Sequence, residues 1–583
     1  MSKSHFLFSI KLLFPILVAL FTLNGCGSGG GDNKETQYHE SSQNYSQQQD
    51  DTQTDPIQED TEDPKTLSIK VSPHILKIAY LPKPGSEENI VYSIENTSTE
   101  GNITLLDTST GRYSYLSADN TTTGKDRFRY KAMKDGTLLA DKEVEIEIVP
   151  INVKINFTTL KNFSSNLPLV IIDTGDKTIP DEPKIKGSMS IIHPDSNGRS
   201  SLELKPQYSG YIEIEIRGSS SQRFPKKQYS VDTETPDEKD DDISLLGMPE
   251  EHKWILHAPY SDKSLMRNYL AYHKTREIDE SKYYAVRSRY VELLTRINEQ
   301  YRYDGIYILM EKIKRDKNRI DIKKLKDTYV SEPKISGGYL LQQDRIKDED
   351  EYITGSDGQE YVIEYPKVKN LNAEQSAYIE NHIWEFENAL QSDDYNNSSS
   401  AQHYAKWIDE ETFIVHLLSR EFFRDLDNWQ LSEYFYKERS APISMGPVWD
   451  FNLGMGNCKI GYGGRTDGWS YTGTSGTGHW VERLMQDPQF KQKVVSAWQE
   501  LRKGVWSDSN LTQFIESTKN RLSEAAARNF ERWPVLGKKV LWERKACTRN
   551  GMPVYCDTFE SAVNEHLKVW LLERAKWIDD QFK

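Results

Sequence analysis

Two stretches, RDLDNWQLSEYFYK (residues 424–437) and MGPVWDFNLGMGN (445–457), decide the reading of this chain. Ahead of the first, FIVHLLSREFF (413–423) is apolar enough for a buried helix, and Tyr434, Phe435 and Tyr436 read as a strand. The helix therefore ends in a turn that carries Asp427. The hairpin after it brings the chain back and delivers Asp450 beside it. Asp425, two residues from Asp427, is expected to point elsewhere.

Two acids placed this way suit phosphoryl transfer, one orienting or deprotonating an acceptor hydroxyl and one holding a Mg²⁺ that bridges phosphates. Taken alone, such a pair is equally a structural feature. Upstream, RGSSSQRFPKKQY (217–229) leaves one strand through a small-residue turn and enters another that carries Lys226 and Lys227. Exposed backbone N–H groups beside Arg217 and Arg223 suit an anion such as polyphosphate, and a hairpin with solvated charges is the plain alternative. A further polar cluster, DKSLMRN (262–268), follows the apolar WILHA (254–258). Glu311 closes the apolar strand YILM (307–310), either against a buried lysine of a neighbouring strand or facing water. No G-x-S-x-G, H-E-x-x-H, Walker A or strand-linked G-x-G-x-x-G occurs, which leaves hydrolase, zincin, P-loop and Rossmann readings unsupported.

Outward from this centre, residues 151–367 are strand-rich and 368–583 helix-rich, the plan of two lobes with a cleft. The last helix is marked by Phe559, Val563, Leu567, Trp570 and Trp577, with Asp557 as its expected N-cap. Residues 65–150 alternate in short runs such as VEIEIV (144–149), which reads as a β-sandwich. GSGGGDNKETQYHESSQNYSQQQDDTQTDPIQEDTEDP (27–64) has almost nothing to pack and sets ten acids against Lys34, so it reads as a disordered tether. That segment holds most of the net charge of −15, a balance that argues against nucleic acid as a partner. Hydrophobic residues at 36% and mean hydropathy −0.72 exclude an integral membrane protein.

The first 26 residues read as an export signal, with Lys3 and Lys11 ahead of an apolar run too short to span a bilayer. The run ends in Leu23-Asn-Gly-Cys26, which resembles the lipobox of bacterial lipoproteins, where the Cys is acylated and becomes the mature N-terminus. An ordinary signal peptide is the alternative. Export makes disulfides possible, and Cys547 with Cys556 would close a short loop; two free thiols are the alternative. Cys458 is left over, and no C-x-x-C pair supports a cysteine-rich zinc site.

From residue 151 onward the chain resembles the CotH kinase family, secreted atypical protein kinases named for a spore coat protein. The matching pieces are 217–229, LLGMP (245–249), 262–268, Gly305-x-Tyr-x-Leu-x-Glu311, GGYLL (337–341), YPK (365–367), Asp427 and GPVWDFN (446–452). Asp450-Phe-Asn-Leu-Gly also resembles the D-F-G element of protein kinases. Residues 65–150 resemble the cadherin-like or Ig-like repeats of surface proteins, which act as spacers or adhesion modules. The fold class implied is α+β: a two-lobed kinase-like domain behind a small all-β Ig/cadherin-like sandwich.

The resemblance implies roles residue by residue. Asp427 would act at the acceptor hydroxyl. Asp450 would be the principal metal ligand, completed by Asn452. Lys227 would meet the α/β-phosphates, paired with Glu311, while Arg217, Ser219 and Arg223 would flank the triphosphate. Ser432 stands where many relatives carry Asn, a departure at the second metal position. The implied activity is transfer of the ATP γ-phosphoryl group to Ser or Thr of extracytoplasmic proteins, with Mg²⁺ or Mn²⁺, by a membrane-anchored lipoprotein at the periplasm or cell surface. The alternatives are a nucleotide-binding pseudokinase and a surface adhesion protein without catalysis. If Cys26 is the acylated residue, Cys26→Ser should leave a larger, unprocessed precursor on immunoblots; wild-type processing and localisation of that variant would contradict it.

Overall fold

Residues 66–150 fold as seven strands: β1 (Thr66–Val71), β2 (Lys77–Tyr80), β3 (Val91–Glu95), β4 (Gly101–Asp107), β5 (Arg112–Ser117), β6 (Gly124–Lys134) and β7 (Thr137–Ile148). The structure is a computed structural model that describes residues 66–583 apart from 151, 157, 176, 298–299, 425–426 and 428. Cys26, the acidic segment 27–64 and Asp425 lie outside the described residues. Along β6, Asp126, Phe128, Tyr130 and Ala132 are buried while the residues between them are exposed, the period of two that pleating imposes. One sheet runs β1-β7-β6-β3 and the other β2-β5-β4. Phe128, Tyr130 and Val144 of the first share a core with Ile103, Tyr113 and Tyr115 of the second.

This β-rich part is fastened to residues farther along the chain. Ile75 enters the apolar cluster of Val153, Ile155, Phe163 and Leu169. Asp173 is buried between Arg296, at 2.8 Å, and Lys77, at 3.3 Å. Arg296 also donates to the Lys70 carbonyl at 2.7 Å, and the Tyr301 hydroxyl lies 2.8 Å from Ser72 Oγ.

Two short strands, β8 (Val153–Ile155) and β9 (Thr158–Leu160), extend the next sheet, and β10 (Ser164–Ser165) pairs with β13 (Ser200–Ser201). The main strands are β11 (Leu169–Asp173), β12 (Ile185–Ile192), β14 (Tyr208–Arg217), β15 (Gln228–Glu234), β16 (Lys253–His257), β17 (Ser288–Ile297) and β18 (Gln300–Glu311). They run in the order β16-β15-β14-β12-β11-β17-β18, and β16 also pairs with β18, so the seven close into a barrel. Ile212, Ile214, Tyr229, Trp254, Leu256 and Leu309 fill it. Closure leaves these seven without a free edge. A strand-rich lobe was the expectation, and its closure was not part of it; alternation shows which face is buried but not that the last strand returns to an earlier one.

Helix α1 (Arg267–Arg276) interrupts the barrel sequence. The remainder mixes helices with a second sheet of β19 (Tyr339–Gln343), β20 (Tyr352–Thr354), β21 (Glu360–Tyr365), β22 (Glu433–Lys437) and β23 (Ile443–Met445). These five lie in the order β20-β21-β19-β22-β23. The helices are α2 (Ala373–Gln391), α3 (Glu410–Phe423), α4 (Thr477–Leu484), α5 (Pro488–Lys503), α6 (Asp508–Arg532), α7 (Phe559–Ser561) and α8 (Lys568–Gln581). Their starts follow capping chemistry: Asn372, Asp409, Asp487 and Ser507 accept from the first free N–H groups of α2, α3, α5 and α6. At α7 the cap is Thr558 rather than the expected Asp557, whose carboxylate is drawn to Arg549 at 2.5 Å. Arg549 belongs to the hairpin β24 (Cys547–Arg549)–β25 (Met552–Val554), beside which Cys547 and Cys556 are joined with Cα atoms 5.1 Å apart.

The buried Asp173 ties the first seven strands to the barrel. Asp173→Ala should therefore cost about 3–5 kcal/mol, because two cations lose their buried counter-charge. Denaturant unfolding followed by tryptophan fluorescence reads this, and unchanged stability would mean the attachment is loose.

Candidate active site

Strand β23 runs into Gly446-Pro-Val-Trp-Asp450, and Asp450 has φ +64°, a backbone conformation uncommon for any residue but glycine. Two side chains of α1 hold it there. The Tyr272 hydroxyl accepts the Asp450 N–H at 3.2 Å, and Asn268 Oδ1 accepts the Phe451 N–H at 2.6 Å. The Asn268 amide is then free to donate to His257 Nε2 at 3.3 Å, which leaves His257 Nδ1–H to donate to Gln228 Oε1 at 2.7 Å. His257 stays neutral, since burial, aided by Arg217, drops its pKa to about 3. Arg267 secures the far end of the loop, donating to the Gly454 carbonyl at 3.0 Å while it pairs with Asp262. The 262–268 cluster is thus a brace for the Asp450 loop.

Asp450 is exposed, yet many protein atoms lie around its carboxyl group. Burial, and then the charge of Asp427, raise its pKa from 3.8 to about 6, against the pull of Arg217 and Arg420. Asp427 is half-buried; burial raises its pKa too, with Arg345 and Arg420 opposing. The two acids therefore share one electrostatic field.

A third acid joins them. The β19–β22 register pairs Gln343 with Glu433, which sets Asp344 level with Ser432, and Ser432 Oγ donates to Asp344 at 3.4 Å. Asp344 raises the pKa of both Asp427 and Asp450. The sequence did not single out Asp344, which follows Gln342 and Gln343 and not the apolar run that marked Glu311. Arg420 was also missed. It donates to the Trp449 carbonyl at 2.7 Å and pairs with Glu433, whose second oxygen lies 2.7 Å from His416.

On the cation side, Arg217 lies over the Trp449 ring at 5.9 Å, and that ring stacks on Tyr272 at 5.7 Å. Asp450 is among the charges that Arg217 senses. Ser219 opens the following turn and is exposed, as is Arg223. Gly218 has φ +106°, and a Cβ there would collide with Ser221 Oγ, so the turn requires glycine.

The expected Lys227–Glu311 ion pair is absent. Lys227 Nζ donates to the carbonyl of Gln222 in its own turn at 2.6 Å. Glu311 is buried, 2.9 Å from the Tyr284 hydroxyl and 3.2 Å from Arg287. The reason is register: the Tyr307 hydroxyl donates to the Lys227 carbonyl at 2.8 Å. Glu311 thus stands four residues farther on, about 13 Å along the strand. Lys226 is no substitute, being buried on the Ile306 carbonyl at 2.6 Å and Asn529 at 2.8 Å. Lys312, one residue past Glu311, was overlooked. It has solvent access, and burial followed by the neighbouring charge of Arg217 lowers its pKa to about 8.

These residues fit a metal–nucleotide. Among the described residues no hydrogen bond or ion pair occupies the Asp450 carboxylate, and it offers hard oxygen donors of the kind Mg²⁺ and Mn²⁺ take. Asn452, two residues on and half-buried, offers another. Asp242, Glu251 and His252 could also gather ligand atoms within 4.8 Å, but Lys314 already sits on Glu251 at 2.8 Å.

Asp427 and Asp450 thus share a field that Arg420 tempers at both and Arg217 at Asp450. The family model for CotH kinase protein matches residues 214–578, more than half of the chain, which therefore belongs to the CotH kinase family. No curated protein matches it. The match begins inside β14, so β11 and β12, which complete the barrel, lie upstream of it.

Since Asp450 must be ionised to hold a cation, Mn²⁺ affinity should rise about fivefold between about pH 5 and 6 and level off above about pH 7. The stability effect has the opposite sign. The folded carboxyl binds its proton more tightly than the unfolded one, so its contribution is greatest below its ordinary value and declines as pH climbs through about 6. Mn²⁺ titration by electron paramagnetic resonance checks the affinity, and a pH-independent result would contradict the assignment.

Proposed function

We propose that this chain is an exported, lipid-anchored kinase that transfers the ATP γ-phosphoryl group to Ser or Thr of extracytoplasmic proteins. The observation that carries it is the shared field of Asp427 and Asp450, with Asp450 held at positive φ by α1. Asp450 and Asn452 would hold Mg²⁺ or Mn²⁺, which when bound neutralises phosphate charge. Asp427 takes the proton of the acceptor hydroxyl, and burial makes it a stronger base than an ordinary aspartate. Arg217, kept in place by its stack on Trp449, and Lys312 supply the positive charge that phosphates need. The turn from Ser219 to Arg223 stays open to solvent, available to the outer phosphates.

One observation favours a second reading. Ser432, where many relatives carry Asn, is turned to Asp344, consistent with nucleotide binding without turnover. Incubating the 66–583 chain with γ-labelled ATP and Mn²⁺ separates the two readings, since only a kinase labels protein. Asp427→Ala should cut transfer by about two to four orders of magnitude with little loss of nucleotide affinity. Asp450→Ala should abolish transfer and weaken metal-dependent nucleotide binding. Asp242→Asn, outside the site, should leave both unchanged. Full transfer by Asp450→Ala would overturn the kinase reading.

A further inference from the structure

Immediately after the Asp450 loop the surface changes character. Residues 458–465 and 538–545 run side by side: Cys458 bridges to Glu543, and the Lys459 N–H donates to the Trp542 carbonyl at 2.9 Å. Arg544 N–H reaches the Asn457 carbonyl at 3.2 Å, which ties the second segment to the loop itself. Ile460, Tyr462 and Trp542 are exposed to 42%, 37% and 38%. Neighbouring large apolar side chains this open mark a contact surface.

The charge of the same surface is one-sided. The two segments hold six lysines and arginines and a single acid, and of the six Arg465 is paired with the exposed Asp467 just beyond them at 2.9 Å. That acid, Glu543, is buried against Lys263 at 2.8 Å, so it does not offset the exposed Lys459 and Lys545. The surface also adjoins the acceptor side of the site. The Tyr462 ring carries the Arg424 guanidinium at 5.4 Å, and Arg424 ends α3 three residues before Asp427. Burial, and more weakly the charge of Asp427, push up the Cys458 thiol, which places the start of the platform near that acid.

We infer that this basic, aromatic platform docks an extended acidic segment of the substrate protein and presents its Ser or Thr to Asp427. The inference rests on the kinase reading and adds the substrate class to it. A local positive face draws acidic chains to this part of the molecule and steers them toward the site. Tyr462, Trp542 and Ile460 supply the desolvated anchors that charge alone does not.

The test uses the 66–583 chain without nucleotide and three fluorescein-labelled peptides, each with one Ser flanked by Asp/Glu, by Asn/Gln or by Lys/Arg. Fluorescence anisotropy should show tightest binding of the acidic peptide, weakening as salt is raised. Lys459→Glu/Lys545→Glu should reduce that affinity on the order of tenfold, and Lys459→Arg/Lys545→Arg should restore it. Trp542→Ala should weaken all three peptides. Equal binding of the three, preference for the basic peptide, or wild-type binding by the charge-reversed variant would overturn the inference. Binding of anionic vesicles but not of the acidic peptide would overturn it as well. Labelled-ATP transfer is followed in parallel: acidic-peptide binding without transfer would refute the kinase reading and leave the docking surface standing.

Discussion

Two hydrogen bonds from helix α1 govern the site: Asn268 to the Phe451 N–H and Tyr272 to the Asp450 N–H. A non-glycine residue at positive φ costs on the order of 1–3 kcal/mol, and each such bond contributes roughly 0.5–1.5 kcal/mol, so the pair is about enough to hold it. The same Asn268 passes the constraint through His257 to Gln228, the residue paired with Arg217 across β14 and β15. The acid that would meet the metal and the arginine that would meet phosphate are thereby set against one frame.

Electrostatics completes what the backbone begins. Burial raises the proton affinity of Asp344, Asp427 and Asp450; Asp344 adds to that of Asp427, and Asp427 and Asp344 to that of Asp450, while Arg217, Arg345 and Arg420 oppose the rise. Asp450 ends near pH 6, where a modest counter-charge decides its ionisation. Arg420 is in turn fixed by Glu433 and the Trp449 carbonyl, so the helix 413–423, selected for its apolar pattern, also carries the cation behind the acids. The barrel contributes by closure, since β16 meeting β18 turns Lys312 and Arg217 toward one charge environment.

Local signals were legible in the sequence. Alternation marked the strands, the apolar run marked α3, and Asp427 and Asp450 stood out because turn residues interrupt apolar elements. What was not legible depends on contacts remote in sequence. Barrel closure pairs Trp254 with Glu311, and periodicity holds no such information. The Lys227–Glu311 pairing failed because strand parity predicts a face, whereas an ion pair also needs register. Lys226 is covered by Asn529 of α6, a partner 303 residues away that no local pattern announces. Asp344 follows Gln342 and Gln343 rather than an apolar run, so the signal that marked Glu311 is missing there.

The central claim is that Asp450, in the conformation α1 imposes, is the metal ligand of a nucleotide site roofed by Arg217. Its most direct measurement is the anomalous scattering of Mn²⁺ in crystals of the 66–583 chain soaked with a non-hydrolysable ATP analogue. The account places the manganese peak against the Asp450 carboxylate, with the polyphosphate between it and Arg217. Manganese bound elsewhere, at Asp242, Glu251 and His252 for instance, with nucleotide away from Arg217, would contradict it.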